Sequence, residues 1–208
     1  KQKAYLSILR RYILKSCFRK FRFFRSEDFI KAQYSEFEKN NSVSRTRATR
    51  ELNGHLVQWR FIDGAKFRVS YVRRVLAQLN FETCGGLKAV LDLGSGSVFM
   101  TLALAACFPT IKIWRGIDLT PARIIAANSL LADPPLQDLR HATGLDEKVI
   151  AKRLGSSDIK FQEGNILNLP YPDESFDVVF SAQVIEQLPR DYHRAFEEVR
   201  RVTANYAF

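Results

Sequence analysis

Between residues 89 and 202 the chain alternates short apolar runs with helix-period patterns, and that alternation restricts the fold more than any other feature. The apolar runs cover Ala89–Leu93, 112–117, 159–162 and Phe176–Ser181. Helical spacing marks Phe99–Cys107, 121–131, a short stretch around 147–154, and a segment from about 190 to 202. The Ala89–Leu93 run reads as a buried parallel strand, and strands spaced by helices in this way form right-handed βαβ units in a parallel sheet. The expected fold is therefore α/β, with a doubly wound, mostly parallel sheet. Residues 132–157 read as a polar insertion around Pro134-Pro135. At Thr203-Ala204-Asn205-Tyr206-Ala207-Phe208 the next strand would only be starting, so four strands are expected and the late ones are expected to be missing.

Upstream, residues 67–79 carry Val72, Val75, Leu76 and Leu79 on one helical face. Residues 4–25 place Leu6, Leu9, Ile13, Cys17, Phe21 and Phe24 at steps of three and four, with Arg and Lys in the gaps, the pattern of a basic amphipathic helix. Charge follows the same division. Residues 1–80 hold 19 Lys and Arg against 6 Asp and Glu, whereas residues 81–208 hold 13 against 16. A basic helical extension over 1–64 and a sheet domain over 65–208 are the expected units. The helix over 4–25 has three readings: a solvated face packed on the domain, an anionic membrane surface, or nucleic acid, with Phe18, Phe21, Phe23 and Phe24 suited to an interface or to stacked bases.

Other features exclude more than they indicate. No apolar stretch approaches the ~20 residues needed to span a bilayer. Cys17, Cys84 and Cys107 are scattered, and His55, His141 and His193 lack ligand spacing, so neither a disulfide framework nor a zinc site is expected. A cytoplasmic location is the expectation, with peripheral membrane attachment through 4–25 as its alternative.

The chemistry concentrates at Asp92-Leu93-Gly94-Ser95-Gly96, where an apolar strand ends in an acid and two spaced glycines ahead of a helix. Glycine permits a tight turn and close backbone approach, and the following helix points its free amides at a ligand. Asp118 closes the next strand, where an acid can accept from both hydroxyls of a ribose. Gly164-Asn165-Ile166 and Phe176–Ser181 supply two further strand tips for the same crevice. A nicotinamide dinucleotide is one alternative occupant, although Gly94-Ser95-Gly96-Ser97-Val98-Phe99 lacks the third glycine of that fingerprint. Asp177 lies among core-strand residues and reads as structural.

Together, residues 90–97, Gly116-Ile117-Asp118-Leu119-Thr120-Pro121, Gly164-Asn165 with Leu169-Pro170, and Pro172-Asp173-Glu174-Ser175-Phe176-Asp177 resemble class I S-adenosylmethionine-dependent methyltransferases. The resemblance covers about 67–202. It implies S-adenosyl-L-methionine as cofactor, with Asp92, Gly94, Ser95 and Gly96 beside its methionine and sugar, and Asp118 on the ribose. It further implies Leu119 and Ile166 around the adenine, Asn165 accepting from the adenine amine, and Ser181 and Gln183 bordering the methyl group and acceptor. Val98 stands where relatives often have a third glycine, Asn165 replaces an acid, and Gln187 replaces a histidine. The reaction implied is in-line displacement at the sulfonium methyl, in which alignment carries most of the rate. Glu186 and His193 are base candidates by location alone. A small molecule or lipid is the expected acceptor. RNA or protein methylation and a non-catalytic scaffold role are the alternatives, and a segment before the first strand would fold over the cofactor as a lid.

Overall fold

A computed structural model describes Lys31, residues 47–52, 55–84, 86–182, Val184, Leu188 and residues 192–208. The expected helix over 4–25 lies outside the described residues. The first strands, β1 (Arg47–Leu52) and β2 (His55–Arg60), pair antiparallel with Leu52 opposite His55, and α1 (Phe61–Glu82) follows directly. This hairpin lies in the segment read from sequence as helical.

The sheet domain runs β3 (Ala89–Leu93), α2 (Phe99–Cys107), β4 (Ile113–Asp118), α3 (Pro121–Ala132), α4 (Leu136–Thr143), α5 (Glu147–Gly155), β5 (Asp158–Glu163), β6 (Phe176–Ser181), α6 (Tyr192–Val202) and β7 (Thr203–Ala207). Strand order is β5-β4-β3-β6-β7, and every neighbouring pair is parallel. The expected parallel sheet is thus present, but it has a fifth strand. The expectation that the chain stops before that strand forms is corrected: Thr203–Ala207 joins β6 directly after α6. Thr203 and Tyr206 are half-buried and the other three residues exposed, so the segment lacks the apolar run that marked the other strands.

Strand alternation divides the core in two. On one face Val90, Trp114, Phe161, Val178 and Phe180 meet Leu76 of α1, Leu102 and Ala105 of α2, Ala127 of α3, Leu139 of α4 and Ile150 of α5. Trp114 is fully buried, and its indole Nε1 donates to Ile111 O at 3.0 Å, so its bulk is buried without an orphaned donor. On the other face Leu91, Leu93, Ile117 and Val179 pack with Leu169 and with Val202 of α6. Asp177 serves this framework. Its Oδ2 accepts from Lys88 N (2.8 Å) and Ala89 N (2.9 Å), and its Oδ1 accepts from Asn205 Nδ2 (3.2 Å), fastening the starts of β3 and β7 to β6.

The chain moves outward from β3 to β4 and β5, then returns to place β6 on the other side of β3. Neighbouring connections therefore part at the C-terminal ends of β3 and β6. That is where an open parallel sheet leaves a crevice for a ligand.

Candidate functional site

The turn after β3 is built by hydrogen bonds to the neighbouring strand. Gly94 N and Ser95 N both donate to Ile117 O, at 2.8 and 3.0 Å, and Val98 N closes the turn on Ser95 O at 2.8 Å. Gly94 and Gly96 have φ of 69° and 52°, the left-handed region open to glycine. A Cβ on Gly94 would also overlap the Val184 side chain. The close approach expected for a ligand is therefore made at Gly94 by the chain's own segment after β6. Alanine at Gly94 is expected to cost about 1–3 kcal/mol through overlap and backbone strain, read as a lower thermal midpoint.

Val98 occupies the position of the missing third glycine and still adopts φ 53° while fully buried. The turn keeps a glycine-like geometry with a β-branched residue, an uncommon and strained arrangement.

Asp118 is the organising side chain. It is 6% exposed; its Oδ2 accepts from Gly96 N at 3.0 Å, and its Oδ1 accepts from Thr120 N at 2.9 Å. Its backbone carbonyl accepts from Gly164 N at 3.0 Å, which brings the β5 tip beside it. Arg123 Nη1, from the first turn of α3, stands 3.6 Å from Asp118 Oδ2. The same guanidinium atom lies 3.0 Å from the position a Cβ on Gly96 would take.

Asp92 lies deeper. It is 1% exposed and accepts from Thr101 Oγ1 at 2.5 Å. Burial pushes its carboxyl up to about 7; the Thr101 hydrogen bond opposes that rise and the nearby Asp118 charge adds to it.

The remaining expected site residues fall as follows. Leu119 is half-buried beside Asp118, and Ile166 packs against the cluster that holds Leu93 and Ile117. Asn165 Oδ1 accepts from Leu167 N at 2.9 Å, a local turn bond that orients the side chain at the β5 tip. Ser181 is opposite Leu93 across the β3–β6 ladder. His193 is exposed in the second residue of α6, while Gln183 and Glu186 lie outside the described residues. The loop behind Asn165 is held from α6: Glu198 Oε2 accepts from Leu169 N at 2.7 Å, and Arg201 donates to Leu169 O and Tyr171 O at 3.0 and 2.7 Å. The Arg201 hydrogen bond holds the Glu198 carboxyl below its ordinary range.

Sequence reasoning missed Arg123 and Thr101, and each left a signal. A cation in the first turn of a helix opposes the helix dipole, so Arg123 needed an acid nearby. Thr101 is the one hydroxyl in Phe99–Cys107, nine residues beyond Asp92.

This arrangement fits S-adenosylmethionine. A carboxylate has about four acceptor positions, so Asp118 retains room for two hydroxyls beyond its two amides. The buried hydroxyls Ser95 Oγ, Thr120 Oγ1 and Ser181 Oγ make no hydrogen bond and sit at the tips of β3, β4 and β6. Buried polar atoms left without partners at a strand-tip crevice match a polar ligand.

Comparison with known proteins agrees with this geometry. An uncharacterized methyltransferase, YcgJ of Bacillus subtilis, is 27% identical over 119 residues, covering 57% of this chain and 38% of the relative. Ajmaline N-methyltransferase of Rauvolfia serpentina is 33% identical over 93 residues, covering 45% of this chain and 25% of the relative. In each case the match spans well under half of the curated relative's length. Among solved structures, that of the [4+2]-cyclase SpnF shares the fold at a TM-score of 0.55 and 19% identity, over 86% of this chain and 57% of that one. Residues 91–206, more than half of the chain, match the family model described as a methyltransferase domain, and the chain belongs to that family, with S-adenosylmethionine as its cofactor.

Proposed function

We propose that this chain binds S-adenosylmethionine at the tips of β3, β4, β5 and β6 and directs its methyl group to a small-molecule acceptor. The observation that carries the reading is Asp118: a buried carboxylate at the β4 tip, oriented by Gly96 N and Thr120 N, with acceptor capacity left for a ribose diol. When bound, the cofactor supplies an already activated methyl group on a sulfonium. The chain's task is then orientation: Asp118 accepts from the sugar, the Gly94–Gly96 turn fixes the backbone beside it, and Leu119 and Ile166 flank the base. Ser181, at the end of β6, supplies an unpaired hydroxyl toward the methyl and acceptor side. Glu186 and His193 remain the candidates for accepting an acceptor proton. A nitrogen acceptor on a small molecule is favoured by the likeness to ajmaline N-methyltransferase.

The division into an extension over 1–64 and a domain over 65–208 belongs to the same proposal, with the extension folding over the cofactor as a lid. Lys31 supports it: its Nζ lies 3.8 Å from Glu163 Oε1, at the β5 tip next to Gly164. The basic stretch 4–25 then offers a cationic outer surface to anionic membranes or nucleic acid. Among the described residues no helix is long and apolar enough to cross a membrane.

Calorimetric titration with S-adenosylmethionine and S-adenosylhomocysteine tests the reading. Saturable binding of both is expected, followed by transfer of a labelled methyl group into the small-molecule fraction of a cell extract. Failure to bind either compound removes the assignment, and label found only in RNA or protein removes the small-molecule acceptor.

A further inference from the structure

We infer that Arg123 is a specificity-determining residue that occupies the ribose subsite from within, holding Asp118 until a vicinal diol displaces it. The inference rests on the cofactor reading above and concerns a side chain to which that reading gives no role. Four observations carry it. Arg123 Nη1 is 3.6 Å from Asp118 Oδ2, the oxygen that also accepts from Gly96 N. The same atom is 3.0 Å from the Cβ position of Gly96, so the guanidinium lies against the turn as well as beside the acid. The two side chains are only 15% and 7% exposed, so the pair is shielded from water. Finally, Arg123 lies in the first turn of α3, where the helix dipole disfavours a cation, so the helix gives no reason for it.

A buried carboxylate needs a compensating partner, and in the unloaded chain the guanidinium provides one. At 3.6 Å the pair lacks a hydrogen bond, which makes it easier to separate than a bidentate contact. A ribose diol offers O–H donors to the acceptor that Arg123 faces. Diol and guanidinium therefore compete, and part of the diol's binding free energy is spent separating the pair. Ligands without the diol have no such cost.

The test compares the wild-type chain with Arg123→Gln and, as a second neutral side chain of similar reach, Arg123→Met. Each is titrated with S-adenosylhomocysteine, adenosine and 2′,3′-dideoxyadenosine, with thermal melting to confirm folding. Removing the competitor is expected to tighten the two diol ligands about 3- to 10-fold, the scale of one partly shielded ion pair, and to leave the dideoxy compound unchanged. Arg123→Lys, which keeps the charge, is expected to stay closer to wild type. A purely structural role would weaken all three ligands together, and that result overturns the inference, as does unchanged diol binding. If the wild type binds none of the three, the cofactor reading itself falls; if it binds them and only the ratio fails to move, the inference alone falls.

Discussion

Asp118→Ala is expected to lower folding stability by roughly 3–5 kcal/mol, the range for breaking a buried ion pair by removing one partner. Two backbone donors, Gly96 N and Thr120 N, lose their acceptors, and the mostly buried Arg123 guanidinium loses its counter-charge. In a domain of this size each kcal/mol moves the thermal midpoint by about 2–4 °C, so a fall on the order of 10 °C is expected. Affinity for S-adenosylmethionine should drop as well, by about 1–3 kcal/mol for the lost ribose contact. Asp118→Asn separates the two effects: an amide oxygen can still accept from one of the backbone donors, so stability should recover in part. An Asp118→Ala chain with wild-type melting would show that the pair does not organise the turn.

The second large effect is expected at Asp92, and it depends on pH. Its carboxyl is raised from an ordinary 3.8 to about 7, with burial as the main cause. The folded chain therefore favours the protonated form. The resulting stabilisation is complete below about pH 4 and is lost as pH rises through about 7. A shift of this size corresponds to a penalty on the order of 4 kcal/mol for the ionised side chain at pH 8 in the unliganded protein. Asp92→Asn keeps an acceptor for Thr101 Oγ1 and cannot ionise. It should melt close to wild type near pH 4 and well above it at pH 8, while binding the cationic cofactor more weakly than wild type at pH 8. A melting difference that does not change with pH would exclude burial as the origin. The combination of gained stability and lost affinity is expected when a buried charge is retained for a ligand and not for the fold.

The elements that were legible in the sequence share a physical basis. Ala89–Leu93 is buried at every position, and α2 is almost wholly apolar, so neither needed tertiary information to stand out. The β4 acid and the paired glycines were legible because few residue types can occupy a strand tip and a left-handed turn. What escaped depended on neighbours. The α4 helix follows Pro134-Pro135 and buries only Leu139, Ala142 and Thr143, so its apolar face is too short to mark a period. Strand β7 has no buried residue and is recognisable only once β6 is in place to pair with it. The hairpin did carry a signal, the Asn53-Gly54 dipeptide favoured in two-residue hairpin connections, between segments without a strong apolar alternation. The left-handed turn at Gly94 and Gly96 matches the expected tight turn, but the neighbours that crowd these glycines were not foreseen. Val184 and Arg123 approach Gly94 and Gly96 from distant parts of the sequence, and no local pattern reports such an approach.

Val98 ties the shape of the ligand loop to the interior of the protein. A β-branched residue at φ 53° stores strain on the order of 1–3 kcal/mol, and it persists because the side chain is locked among the residues of the larger core. The loop's curvature is therefore maintained by packing behind it as well as by its hydrogen bonds to Ile117 O and Asp118. A core substitution that frees Val98 would let the turn relax toward an ordinary backbone conformation, carrying Gly96 N away from Asp118 while the sheet stayed folded. Damage to the hydrophobic interior would then register first as a loss of recognition at the surface, ahead of any loss of fold.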